Sequence, residues 1–284
     1  MGKVVRHAAV ALVASAMLVA LPAGDAFADS HSTSFSSDQA GYAVAGASFR
    51  EVEVWARLPN ASRFSREVGQ VGASVELSNK RILIDLMISA CTDSTCRPGG
   101  KPAWRKYRLN FSVFSSATHK VICSTSSAVA KTRCPGVPRS WRRFRLRPGR
   151  TVNLVLFYSS TFGNIEADAT TSGFNSATYD NYVPGTGEGF GQGRIAAQFG
   201  SSPWSANRYR APARPEHLLT FGIPPGPAVA AEFALASGEG TCVTSWRVHH
   251  RVAMTRRGTP GTRPQAVASK AWRYGCDFNI TLER

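Results

Sequence analysis

The chain has 284 residues, 43% of them hydrophobic and 18% charged, with a formal net charge of +16. That composition supplies enough apolar surface for one large core and excludes an intrinsically disordered chain. The positive excess favours anionic partners over cationic ones.

The N-terminus reads as an export signal. Lys3 and Arg6 form a charged start, Ala8 to Leu21 is apolar, and Ala26-Phe27-Ala28 is a small-x-small cleavage site. Residues 1–28 are therefore expected to be removed, releasing a secreted, extracellular protein beginning near Asp29. The apolar run is short for a bilayer, and no later stretch reaches about 18 consecutive apolar residues, so no transmembrane segment is expected. Residues 29–40 read as a flexible lead-in, 41–223 as the main domain, and 224–284 as a C-terminal segment after the Pro224-Pro225-Gly226-Pro227 hinge. Whether that segment adds strands to the main domain or forms a small appendage is open at this level.

Strand signals follow one another along the chain. Phe49 to Leu58 follows a glycine-bounded opening, Gly41 to Gly46. Val68 to Leu77 puts Val71, Ala73, Val75 and Leu77 on one face and Glu76 on the other, and Ile82 to Ile88 is a buried strand interrupted by Asp85. A buried carboxylate needs a partner, one candidate being a basic group of the stretch after Arg139, and a structural ion pair is expected ahead of a catalytic acid. Lys106 to Phe114 and His119 to Cys123 are further strands. Arg139 to Arg147 reads as a basic strand with Phe144 and Leu146 inward and Trp141, Arg143, Arg145 and Arg147 together on the outer face. Pro148-Gly149 suits a type II turn, and Thr151 to Tyr158, apolar on both faces, belongs in the middle of a sheet. Phe162 to Asp168, Arg194 to Phe199, Leu218 to Ile223, Cys242 to Met254 and a last alternating stretch through Leu282 complete the set. Thr170 to Gly193 reads as a polar, glycine-rich loop. Many short strands without an amphipathic helix predict an all-β protein: an antiparallel two-sheet β-sandwich.

Six cysteines in an exported chain predict disulfides, and the pairing that closes short loops is Cys91–Cys96, Cys123–Cys134 and Cys242–Cys276. No metal site and no cofactor are expected. There is no CxxC pair, and His249-His250 lie on opposite faces of a strand between two arginines. HExxH, GxSxG and Walker signatures are absent, and the GTGEGFGQG run lacks dinucleotide-loop spacing.

Charge is segregated. No acid falls between Asp93 and Glu166, while Arg97, Lys101, Arg105, Lys106, Arg108, Lys120, Lys131, Arg133, Arg139, Arg142, Arg143, Arg145, Arg147 and Arg150 lie there. A second acid-free run separates Glu239 from Asp277. The expected basic face of Trp141, Arg143, Arg145 and Arg147 would meet an anionic polymer: a cell-wall component, an acidic polysaccharide or nucleic acid. Arginine outnumbers lysine 27 to 7, a ratio that coding bias can also set, and a basic surface can serve solubility alone.

The run Gly41-Tyr42-Ala43-Val44-Ala45-Gly46 with Phe49 to Pro59 resembles the opening of the glutamic peptidase (eqolisin) family. Ala73-Ser74-Val75, Ile82-Leu83-Ile84, Pro148 to Val152, Asn164-Ile165-Glu166 and Ala197 to Gly200 follow in the family's order. The chain is also similar to secreted actinobacterial proteins. The glutamic peptidase resemblance implies a two-sheet sandwich of the eqolisin or concanavalin kind, and a chemistry in which a Gln and a Glu activate water and stabilise a tetrahedral intermediate. Glu166 falls on the glutamate position. The Gln position falls on Ile84, whose alkyl chain can neither donate nor accept a hydrogen bond, so the resemblance implies loss of peptidase activity. The leading expectation is thus a non-catalytic binding protein. The alternatives are a hydrolase that uses Glu166 with Gln70 or Gln198 in place of the missing amide, and a structural or inhibitor-like protein that binds a protein partner through its loops.

Overall fold

The computed structural model describes residues 33–36, 39–58, 70–91, 106–118, 120–126, 130–159, 162–171, 173, 175–183, 190–199, 216–221, 231–235, 240–242, 248–254, 266–268 and 278–282. A single long strand, β2 (Gln39–Arg57), links two antiparallel sheets. Its first half pairs with β10 (Phe190–Phe199) and β14 (Val248–Met254). From β10 the first sheet continues through β3 (Gln70–Ser78), β4 (Ile82–Cys91), β5 (Arg108–Ser115) and β6 (Val121–Ser124). The second half of β2 pairs with β7 (Thr151–Ser159) on one side and β12 (Ala231–Leu235) on the other. Beyond β7 come β8 (Asn164–Thr171) and β9 (Ser176–Tyr182).

Period-two alternation places the core between the sheets. Val71, Ala73, Val75 and Leu77 of β3 face inward with Ile84, Leu86 and Ile88 of β4 and Leu109, Phe111 and Val113 of β5. From the second sheet come Val52 and Val54, Val152, Leu154 and Leu156, Ile165, Ala167 and Ala169, then Ala177 and Tyr179. Strand β7 packs across β3 and β4. The sandwich expected from the strand pattern is the fold observed.

The described strands of the C-terminal segment pair within the sheets. Besides β12 and β14, the strands β11 (Glu216–Phe221) and β16 (Phe278–Leu282) pair with each other, and β11 reaches the end of β2. Strand β15 (Ala266–Ala268) joins β14 to β16, and β13 (Gly240–Cys242) borders β12. Residues His31–Arg284 form one compact unit. Within the expected lead-in, β1 (Thr33–Ser36) pairs in parallel with β14, and Gln39 and Ala40 already belong to β2. The expected loop from Thr170 to Gly193 likewise contains β9 and the start of β10.

The basic stretch corrects the sequence reading most. Arg139–Arg143 is a short helix, α1, and not a strand. Val137, Trp141 and Phe144 are all buried, at 8%, 2% and 2% exposure, and they recur at helical spacing. That helical period outweighs the alternation read across the arginines. Phe144 and Leu146 do point inward, and Leu146 bridges Tyr107. Gly149 has φ +78° and the Arg150 amide donates to the Arg147 carbonyl, as the expected turn requires. The Cys123–Cys134 disulfide is formed; each of the other two expected pairs has one cysteine, Cys96 or Cys276, outside the described residues. Among the described residues no helix is long and apolar enough to cross a membrane.

Candidate functional site

Glu166 sits on β8, where Ile165 and Ala167 face the core and Glu166 and Asp168 face away from it. Register gathers more carboxylates on the same outer face. One row across β2, β7, β8 and β9 reads Glu51, Phe157, Glu166, Asp180; the next reads Glu53, Val155, Asp168, Thr178. Asn153 Nδ2 donates to Glu53 Oε1 at 2.5 Å, and the Arg50 guanidinium lies 5.7 Å from the Phe157 ring centroid. Partial loss of hydration against the sheet, then the charge of Asp168 and its hydrogen bond, then the charge of Asp180, raise the Glu166 carboxyl above the ordinary glutamate range. Glu166 is exposed overall, so solvent screens these interactions.

Ile84 is fully buried on β4, with Leu77 and Val113 as its register neighbours. It therefore belongs to the core of the first sheet, whereas Glu166 belongs to the outer face of the second. The structure does not bring the two together.

The next residue on β4 points the other way. Asp85, 9% exposed, lies between Glu76 and Ser112 in register. Around it the outer face of the first sheet is polar yet buried: Gln39, Ser74, Glu76, Ser89, Ser112 and Ser124 are each no more than 9% exposed. The Gln39 amide Nε2 donates to Glu76 Oε1. This is a carboxamide and a glutamate in direct contact, the pair of groups that Glu166 lacks. Beyond Asp85, a closed ring of hydrogen bonds runs from Asn110 Nδ2 to Ser112 Oγ, from Ser112 Oγ to Ser124 Oγ, and from Ser124 Oγ back to Asn110 Oδ1, each 3.0 Å long. Each bond polarises the next, so the ring fixes all three side chains. Ser74 Oγ, wholly buried in the neighbouring row, has no hydrogen-bond partner. Gly72 allows the strands this approach, because a Cβ there would stand 2.0 Å from the Ile88 carbonyl oxygen. The sequence signal for this face is Ser74 and Glu76 of β3 and Asp85 and Ser89 of β4, which alternate with core residues and which alternation alone assigns to an outer surface. Of the substitute amides considered for Glu166, Gln198 of β10 is register-paired with Gln39 and Gly72, and Gln70 opens β3; both belong to the first sheet.

The four residues expected to form a basic face do not share one. Trp141 is in the core, 5.6 Å centroid to centroid from Tyr179, with Nε1 donating to Thr125 Oγ1 at 3.3 Å. Arg145 is half-buried and donates to its neighbour's carbonyl, while Arg143 and Arg147 are exposed. Register places His249 and His250 opposite Val44 and Ala43, hence on alternate faces. Among the described residues no group of three potential ligands could hold a metal ion.

No family model matches the chain, and no curated protein does. Solved structures do. Scytalido-glutamic peptidase with a peptide-based transition-state analogue superposes with a TM-score of 0.50 at 10% identity, over 88% of this chain and 100% of that one. The same peptidase with a transition-state analogue inhibitor gives 0.50 at 9% identity over the same shares. The fold is that of the glutamic peptidases. A further eqolisin, SCP-B in complex with the tripeptide Ala-Ile-His, covers the same shares at 9% identity and a TM-score of 0.47. At such identities the likeness to glutamic peptidases extends to the backbone and not to the residues on it.

Proposed function

We propose that this chain is an exported, non-catalytic binding protein that holds an anionic polymer through the segment between Lys106 and Arg150. One observation carries the reading. Lys106, Lys120, Lys131, Arg133, Arg139, Arg142, Arg143, Arg147 and Arg150 are all exposed, and no acid interrupts them in sequence. The disulfide inside this segment supports an oxidising, extracellular setting. Absence of catalysis is supported by the burial of Ile84 in the core and by the position of Glu166 on a different sheet. A cell-wall polyanion, an acidic polysaccharide and extracellular nucleic acid all offer the required charge. Binding to such polymers should weaken steeply with added salt as counterions are released and reabsorbed. The mature protein is applied to immobilised polyanions over a salt series, and retention on neutral glycans that ignores salt would sink the proposal.

A second reading, a glutamic-peptidase-like hydrolase, is favoured by the Gln39–Glu76 contact. A carboxylate there would take a proton from water while the amide donates to the developing oxyanion. An acid-range peptidase assay with Glu76→Gln and Glu166→Gln separates the possibilities. Cleavage lost only in the first assigns the buried pair, cleavage lost only in the second assigns Glu166, and no cleavage by the wild type removes the reading.

A further inference from the structure

The disulfide-stapled segment contains a concavity of about 670 Å³ whose walls include Arg133, Cys134, Pro135, Gly136, Val137 and Arg142. Among the described residues no carboxylate lines it. Its frame is held from several directions. The disulfide ties Cys134 to β6, the Tyr179 hydroxyl donates to the Pro135 carbonyl at 2.7 Å, and the Cys134 amide donates to the Ser124 carbonyl at 3.2 Å. Arg142 is itself oriented by this frame. Its Nε and Nη2 both donate to the Val137 carbonyl, at 3.2 and 2.8 Å. That contact occupies the side edge of the guanidinium and leaves the Nη1–Nη2 end edge directed away from Val137. Gly136, at φ +64°, sits on the wall with no atom within 4 Å of where a Cβ would stand.

We infer that this concavity is a dedicated subsite for one tetrahedral oxyanion, a phosphate or sulfate ester of the bound polymer, gripped by the end edge of Arg142 and by Arg133. The inference rests on the anionic-polymer reading and narrows it from a diffuse field to one group. An arginine already pinned by a carbonyl loses little further freedom when it forms a two-point contact, and such contacts match pairs of oxyanion oxygens. Two arginines on the wall favour a tetrahedral group, which can offer two oxygens to Arg142 and another towards Arg133. A planar carboxylate offers both of its oxygens along one edge.

The test uses the mature, disulfide-intact protein with three probes: inorganic polyphosphate, dextran sulfate and polyglutamate. Arg142→Lys keeps the charge but removes the fork, and Arg57→Lys makes the same exchange at an exposed residue at the end of β2, outside the Lys106–Arg150 segment and off the lining of the concavity. Arg142→Lys is expected to weaken polyphosphate or dextran sulfate binding by about tenfold, the scale of one lost charge-assisted hydrogen bond. Polyglutamate binding by Arg142→Lys, and all binding by Arg57→Lys, should change less than about twofold. Which of the first two probes carries the loss tells phosphate from sulfate. Arg133→Lys gives a second variant, independent of the Val137 contact, with an expected loss in the same direction. Equal losses for the position 142 and 57 variants, or an equal loss with polyglutamate, overturn the subsite while leaving the polymer reading standing. No binding of the wild type to any probe removes both.

Discussion

Replacing Trp141 by alanine distinguishes its observed place from the surface role that its arginine neighbours suggest. The indole is 2% exposed, tilted against Tyr179 at 5.6 Å, and Tyr179 in turn meets Phe111 edge-on at 5.2 Å. Truncation removes the whole ring from a packed three-ring group and leaves Thr125 Oγ1 without its 3.3 Å donor. Large-to-small changes of this kind cost about 3–5 kcal/mol, a large share of a total stability of roughly 5–15 kcal/mol. Trp141→Phe keeps most of the volume and should cost less, with about 1 kcal/mol of it from the lost hydrogen bond. Urea unfolding of the disulfide-intact mature protein, followed by circular dichroism, gives both values. If alanine costs under about 1 kcal/mol, the scale of a surface change, and polyanion binding is lost instead, the buried placement of Trp141 is wrong.

Other perturbations test the frame and the two polar faces. Gly72→Ala drives a methyl group into the Ile88 carbonyl and should destabilise by about 1–3 kcal/mol through forced strand displacement, read as a lower unfolding midpoint. Ser124→Ala breaks the Asn110–Ser112–Ser124 ring and strands buried polar atoms, costing about 1–3 kcal/mol in the same assay. Replacing Cys123 and Cys134 together by serine opens a loop with a sequence separation of 11 and should cost about 2–3 kcal/mol in the same assay. The raised Glu166 carboxyl fixes the sign of one pH effect. The folded state is the poorer host for the ionised form, so relative stability is greatest below the ordinary glutamate range and falls as pH rises through the raised folded value. Glu166→Gln should therefore gain on the wild type above that range, gain nothing below it, and lose in high salt only the part of its advantage that comes from Asp168 and Asp180.

How much of this was legible depends on whether a segment's side chains or its partners decide its structure. Strands β3, β4 and β7 carry uninterrupted apolar positions at every second residue, so their place and inward faces follow from sequence. Strand β9 carries only Ala177 and Tyr179 inward, among Ser176, Thr178 and Asp180; two apolar residues between glycine-rich flanks resemble a loop. Strand β1 has no pattern at all, because its order comes from the backbone of β14. The helix at Arg139–Arg143 was present as Val137, Trp141 and Phe144, but two periods overlap there, since Phe144 and Leu146 also satisfy alternation. Only tertiary contact with Tyr179 chooses between them.

The two polar faces sharpen the same point for function. Both are outer faces of sheets and both alternate with core residues, so sequence treats Glu76 and Glu166 alike. The structure separates them by their surroundings. Glu166 stands exposed beside Asp168 and Asp180, and lost hydration followed by those like charges raises its carboxyl. Glu76 is 6% exposed and accepts from Gln39, thirty-seven residues away in sequence. A motif search follows residue order and finds Glu166; in the sheet Gln39 stands in the row of Gln198 and Gly72, and its side chain reaches Glu76 from there. The 0.50 TM-score to a glutamic peptidase adds nothing to either residue, because a shared backbone at 10% identity is compatible with a rebuilt face. Chemistry on this sandwich must therefore be decided at Gln39 and Glu76 as well as at Glu166. If neither glutamine substitution has any hydrolysis to abolish, the buried pair is a structural hydrogen bond and binding is what the fold retains.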